Sequence, residues 1–154
     1  FFSLRRKLIK EGVPLLIEAI KKIDTGNYNL RPQDDLKATA VSKLTKSDGL
    51  ISWKKSAQQI RNLIRATLGW PSAYTYYKGQ MIKILAADVV TQENQNKPGT
   101  ILNVDREGIC VATSEGILKI KKLKPEGKSE MDAWSFVCGH KLKEGENFSS
   151  SKQA

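Results

Sequence analysis

The spacing of apolar residues changes at Pro71, and that change does most to limit what the chain can fold into. Between Ser56 and Leu68 the apolar positions Ala57, Ile60, Leu63, Ile64 and Leu68 recur every three or four residues. That is helical spacing, with Gln58, Arg61, Asn62 and Arg65 on the other side. Ser56 followed by Gln59 fits a capping box, and Gly69 and Pro71 stop the helix. Beyond Pro71 the period becomes two. Strands are predicted at 73–77, 81–90, 99–104, 108–113 and 117–124, joined at Lys78-Gly79, Asn94 to Gly99, Glu107-Gly108 and Glu115-Gly116. Short strands with Gly turns and a helix before them predict a mainly β domain with helices, a small barrel of five to six strands.

Upstream, Leu4, Leu8, Leu15, Leu16, Ala19, Ile20 and Ile23 predict an amphipathic helix over 3–24. Gly12 and Pro14 predict a kink or a break in it, and Gly26 a C-cap. A single helix cannot bury its own stripe, so its partner surface is expected elsewhere. Residues 25–52 have no sustained period and read as an extended linker laid along a surface by Leu30, Leu36, Val41 and Leu44. A last helix is expected at 130–138, capped by Ser129 or Asp132 and ended by Gly139. The polar tail from Ser149 is expected to fray. The start at Phe1, without Met or a signal-peptide pattern, reads as a cut inside a longer protein or the beginning of an ordered region.

Charge narrows the partners. The 154 residues carry 26 Lys and Arg against 16 Asp and Glu, a net charge of +10. The excess lies in residues 1–128, and the last 26 residues are slightly acidic. In the strand 117–124, Leu118 and Ile120 alternate with Lys119 and Lys121, and Lys122 and Lys124 continue the run. Lys83 likewise stands between Ile82 and Ile84. Arg61 and Arg65 are one helical turn apart, where like charges repel unless an anion sits over them. Phosphates are the obvious polyanion. The plainer meaning of such lysines is solubility or protection of sheet edges. Tyr74, Tyr76 and Tyr77 offer a stacking face, but Tyr74 and Tyr76 share one side of the strand, so one of the two sides is expected to be core.

Other chemistries are poorly supplied. The single His140 and nearby Cys138 fall short of the four ligands of a structural zinc site, and no metal is expected. Two cysteines make no disulfide scaffold, so a reducing, cytoplasmic compartment is expected. There is no apolar run long enough to span a membrane. No nucleophile–base pair or catalytic triad is found, and Asp34-Asp35 in a loop is a weak carboxylate pair.

Six motifs in order carry a family resemblance. Lys43-Leu44-Thr45-Lys46-Ser47-Asp48-Gly49-Leu50-Ile51-Ser52-Trp53 is similar to the linker entering the C-terminal domain of the methionyl-tRNA formyltransferase family. Ser56-Ala57 through Arg65 resembles that domain's first helix, and Trp70-Pro71-Ser72-Ala73-Tyr74 its Trp-Pro-Gly-Ala-Tyr turn. Pro98 to Leu102, Val111-Ala112-Thr113 and Leu123 to Lys128 follow in the family's order. Upstream, Gly12 to Asp34 resembles the last helix of the catalytic domain. Arg61 stands where His is frequent, and Ser72 where Gly is usual. Trp53 and Trp70 are expected to pack rather than to contact a ligand.

The resemblance implies residues 1–33 as the end of a catalytic domain, 34–53 as a basic linker, 54–148 as an OB-like tRNA-binding domain and 149–154 as a frayed tail. It implies a parent enzyme that moves a formyl group from 10-formyltetrahydrofolate to methionyl initiator tRNA. The catalytic Asn, His and Asp and the folate pocket belong to the part before this chain, so no catalytic or cofactor residue is assigned here. The tRNA contacts expected are Lys43, Lys46, Lys54, Lys55, Arg61, Arg65, Lys83, Lys119 and Lys121. A monomer is expected. A standalone RNA-binding module, the barrel of another formyltransferase and a purely structural domain are the competing readings.

Overall fold

A computed structural model describes residues 2–152, which form two compact units, one up to Lys43 and one from Leu44. The first holds helix α1, Phe2–Asp24. Pro14 lies inside it without interrupting it, so the expected break is absent. One missing N–H is tolerated because the turns on both sides continue. The helix ends in a Schellman motif. Asn27 donates to the Lys22 carbonyl at 2.9 Å and Gly26, at φ +69, to that of Ile23 at 3.1 Å. The apolar stripe is open: Leu8 is 64% and Ile20 56% exposed. Leu36 and Val41, expected along a surface, are almost fully exposed.

The second unit contains α2 (Ala57–Ala66), β1 (Ala73–Tyr77), β2 (Gln80–Val90), β3 (Ile101–Asp105), β4 (Gly108–Ala112), β5 (Ile117–Pro125), β6 (Met131–Asp132) and α3 (Ala133–His140). It starts before residue 54. Ile51 and Trp53, placed in the linker by their sequence, are core residues, and the Trp53 indole donates to Thr75 Oγ1 at 3.0 Å. The five expected strands are all present. The two-residue β6 is too short to carry a strand's period in its sequence.

The capping box of α2 is complete. Ser56 Oγ accepts from the Gln59 N–H, and Gln59 Oε1 from the Ser56 N–H. Ala57, Ile60 and Ile64 face the sheet, where they join Ile82, Ile84, Leu118, Ile120 and Leu123 in one core. Burying each of these Ile and Leu side chains stabilises the fold by about 1.5–3 kcal/mol. Lys78 and Gly79, at φ 47 and 76, form the tight β1–β2 hairpin turn. Gly49 fits where no side chain would: a Cβ there would stand 2.2 Å from the Ser72 carbonyl oxygen. At α3, Asp132 is the N-cap, not Ser129. The helix runs through Gly139 to His140, and Lys141, at φ 48, caps it.

The strand order is β1-β2-β5-β4-β3, antiparallel throughout, with β6 on the far end of β5. The sheet is not a closed barrel, because β1 and β3 do not pair. Residues 145–149 bridge that seam. Ser149 exchanges two backbone hydrogen bonds with Tyr76, at 2.8 and 2.9 Å, on the β1 side. On the β3 side Phe148 donates to the Gly99 carbonyl and Gly145 to that of Ile101. The tail expected to fray from Ser149 is therefore tied down there, and Ser150 Oγ also donates to the Ile51 carbonyl at 2.8 Å. Gln153 and Ala154 lie outside the described residues.

Glu146 fixes this strap by its side chain. It accepts from Tyr77 Oη at 2.6 Å, from Lys78 Nζ at 2.7 Å and from the Lys143 N–H at 2.9 Å. The Lys78 bond above all, then Tyr77 and Lys143, lower its pKa from 4.5 to about 2. A depressed carboxylate stabilises the fold above its unfolded pKa, and that contribution is lost as pH falls from about 4.5 towards 2. Glu146→Gln is expected to cost about 1–2 kcal/mol at pH 7, a charged hydrogen-bond cluster discounted for partial exposure. Urea unfolding should show the two proteins converging as pH approaches 2.

Candidate nucleic-acid interface

The surface of β5 is set by a bulge. Leu118 and Ile120 point inward and then Leu123 and Pro125, so the buried parity switches between them. The β2–β5 register shifts at the same place, around Ala86. Lys121 and Lys122 are the two residues on β5 between Ile120 and Leu123. Past the bulge, Lys124 lies directly opposite Lys83 of β2, and Lys83 opposite Tyr74 of β1. Cross-strand partners share a face, so Tyr74, Lys83 and Lys124 form one outward row. Like charges directly opposite destabilise a sheet, and among the described residues neither lysine has a carboxylate within ion-pair distance. Both line a hollow of about 150 Å³ with Met81, Pro125, Glu126 and Gly127.

The neighbouring row is aromatic. Tyr76 meets Tyr74 edge to face at 5.9 Å and lies opposite Met81. Burial raises the Tyr74 hydroxyl pKa, and the Tyr76 phenol adds to the shift. Tyr77 belongs to the core.

The other candidates are dispersed. Lys46 is exposed in the turn Lys46–Gly49, which packs against β1, and the Tyr74 ring lies 3.3 Å from where a Cβ on Gly49 would stand. Lys54 and Lys55 are exposed ahead of α2, Arg65 is exposed on it and Arg61 half-buried. Lys43 belongs to the first unit. Lys119 is not a free cation. It bonds Glu107 at 2.6 Å and lies 3.6 Å from Asp105, and its side chain is only 14% exposed. The Glu107 bond raises its pKa, and Lys119 in turn lowers that of Glu107, with Lys121 contributing. Trp70, expected to pack, is 58% exposed.

Among the described residues no cluster of His, Cys, Asp and Glu suits a metal ion, and no helix is long and apolar enough to cross a membrane. Both cysteines are free. His140 stacks on Phe136 at 4.1 Å, with Nδ1 3.2 Å from the Phe136 carbonyl. What the β1–β2–β5 face offers is cations and tyrosines.

Residues 43–141 match the family model described as formyl transferase, C-terminal domain. The chain belongs to the formyl transferase C-terminal domain family. Relatives of the chain include the methionyl-tRNA formyltransferase of Acetivibrio thermocellus. It is 41% identical over 145 residues, which are 94% of this chain and 47% of that protein. The methionyl-tRNA formyltransferase of Caldicellulosiruptor saccharolyticus is 40% identical over 148 residues, 94% and 46% of the two chains. That of Desulfotalea psychrophila is 35% identical over 140 residues, 91% and 43%. The chain thus spans just under half the length of these relatives, and what it matches is their C-terminal part. Among solved structures, HypX from Aquifex aeolicus in complex with tetrahydrofolic acid aligns with TM-score 0.60 at 18% identity, over 81% of this chain and 22% of its own. A HypX variant aligns with TM-score 0.64 over 86% and 24%. This likeness is one of fold. The resemblance read from the sequence is borne out, and one departure from the formyl transferase pattern acquires a meaning: Ser72, where Gly is usual, sits at φ 68, a conformation natural to Gly.

Proposed function

We propose that this chain is the tRNA-docking, C-terminal part of a methionyl-tRNA formyltransferase. The parent enzyme works in the cytoplasm, transferring a formyl group from 10-formyltetrahydrofolate to methionyl initiator tRNA for the start of translation. The observation that carries the docking role is the unneutralised pair Lys83 and Lys124, in register on an open sheet face beside Tyr74. A phosphate between the two ammonium groups converts their repulsion into two attractions. Such contacts hold a duplex in register without reading bases. Holding the aminoacylated end at a distant catalytic centre lowers the entropic barrier and makes no bond. The donor folate is assigned to the rest of the enzyme, and no residue here is given a part in binding it.

Titration with initiator and elongator tRNA between 50 and 200 mM salt tests the reading. About six phosphate contacts give a log–log slope of about −4 to −5, a loss of affinity approaching a thousandfold over that range. The two tRNAs should bind within a few-fold of each other. A slope near zero, or binding of one tRNA alone, would overturn the proposal.

A further inference from the structure

The seam between β1 and β3 holds a second basic feature. A cleft of about 610 Å³ opens where the strap crosses it. Lys54 and Lys97 line it, with the hydroxyl-bearing Ser52, Ser149 and Ser151 and the amide of Asn147. No acidic residue lines it, and among the described residues neither lysine is ion-paired. Asn147 Oδ1 is engaged by Thr100 Oγ1 at 2.9 Å, while its amide N–H₂ reaches only the Gly145 carbonyl at 3.4 Å, so a donor remains available. Ammonium groups, hydroxyls and an amide donor without a carboxylate suit a phosphate oxyanion.

The cleft continues the face already described. Ser149 lies opposite Tyr76, which lies opposite Met81, and the adjacent row is Tyr74, Lys83 and Lys124. From β5 across β2 and β1 to the strap is three strand spacings, about 14 Å. A nucleic-acid strand rising about 3.4 Å per nucleotide covers that span in about four nucleotides. A free phosphate would need only one end of this track.

We infer that the Lys54–Lys97 cleft is a second phosphate-contact site for the RNA backbone, reached after the strand crosses the Tyr74–Tyr76 face from Lys83 and Lys124. The inference rests on the docking reading and adds a path to it. Neither lysine pairs within the fold, so their removal should leave folding intact.

The test compares the chain with its Lys54→Ala/Lys97→Ala variant by tRNA titration at several salt concentrations. Thermal unfolding of both proteins is followed with and without millimolar inorganic phosphate. Losing two contacts should flatten the salt slope by about 1.4–1.8 and weaken binding between about tenfold and a hundredfold near 100 mM salt, equally for initiator and elongator tRNA. The melting temperature should not change. An unaltered slope in the variant, with a steep slope in the parent, would overturn the path and leave the docking reading standing. Phosphate raising the melting temperature of the parent alone, with equal tRNA slopes, would make the cleft a free-phosphate site and overturn the inference. A flat slope in the parent itself would remove the docking reading, and the path with it.

Discussion

Phe148→Ala is expected to lower the unfolding free energy by about 3–5 kcal/mol, the range for deleting a buried aromatic ring. Phe148 is 3% exposed and packs between two other rings of the core, with centroids 5.8 Å from Trp53 and 5.7 Å from Tyr77. Its position on the strap makes the loss more than local. The strap's backbone hydrogen bonds to Tyr76, Gly99 and Ile101 span a seam that no strand pair closes. Without the ring, only these bonds and the polar contacts of Glu146, Asn147 and Ser150 hold the strap against its own chain entropy. Because a domain of this size has only about 5–15 kcal/mol of net stability, the variant should be close to its folding limit. Urea unfolding checks this: the midpoint should fall with little change in slope, and Phe148→Leu should restore much of the loss. A cost below about 1 kcal/mol would mean that the strap is not part of the cooperative core, since an isolated surface contact has that scale.

The strap also marks the limit of what the sequence discloses. Local signals were legible. The capping box at Ser56 and Gln59, the Lys78-Gly79 turn and the alternation on β5 each involve residues a few positions apart, and each predicted its element. Contacts between distant residues were not. Nothing in Glu146-Asn147-Phe148-Ser149 has a strand's period, and its pairing with Tyr76 and Thr100 arises only because the sheet leaves a gap of that width. The site divides the same way. The basic, Tyr-bearing character of the surface was readable, but the pairing of Lys83 with Lys124 depends on register, 41 residues apart. The bulge after Ile120 shifts that register, so strict alternation singled out Lys119 and Lys121. Lys119 turned out to be held by Glu107, in the turn between β3 and β4. Lys97 carried no signal at all, since a lone lysine in a loop acquires meaning only from the cleft around it.

Lys83→Glu should move stability and binding in opposite directions, which separates a docking site from a structural one. The new carboxylate would stand directly opposite Lys124, replacing a like-charge pair by an opposite-charge pair. Cross-strand pairs of that kind differ by about 0.2–1 kcal/mol, so the melting temperature should rise slightly. Binding should fall. One phosphate contact with a salt slope of about 0.9 is worth a factor of about ten near 0.1 M salt. The substitution removes one contact and neutralises the lysine that makes the other, so a loss of about a hundredfold is expected in tRNA titration. Adding Lys124→Glu restores like charges at the same register position. Stability should return to about the starting value, while repulsion of the phosphates takes the loss of binding to about a thousandfold. The two substitutions are therefore non-additive in stability, with the coupling expected of neighbours in one row. If stability and affinity fell together in the single variant, Lys83 would be serving the fold. If affinity were untouched in both, the backbone would run elsewhere on the domain.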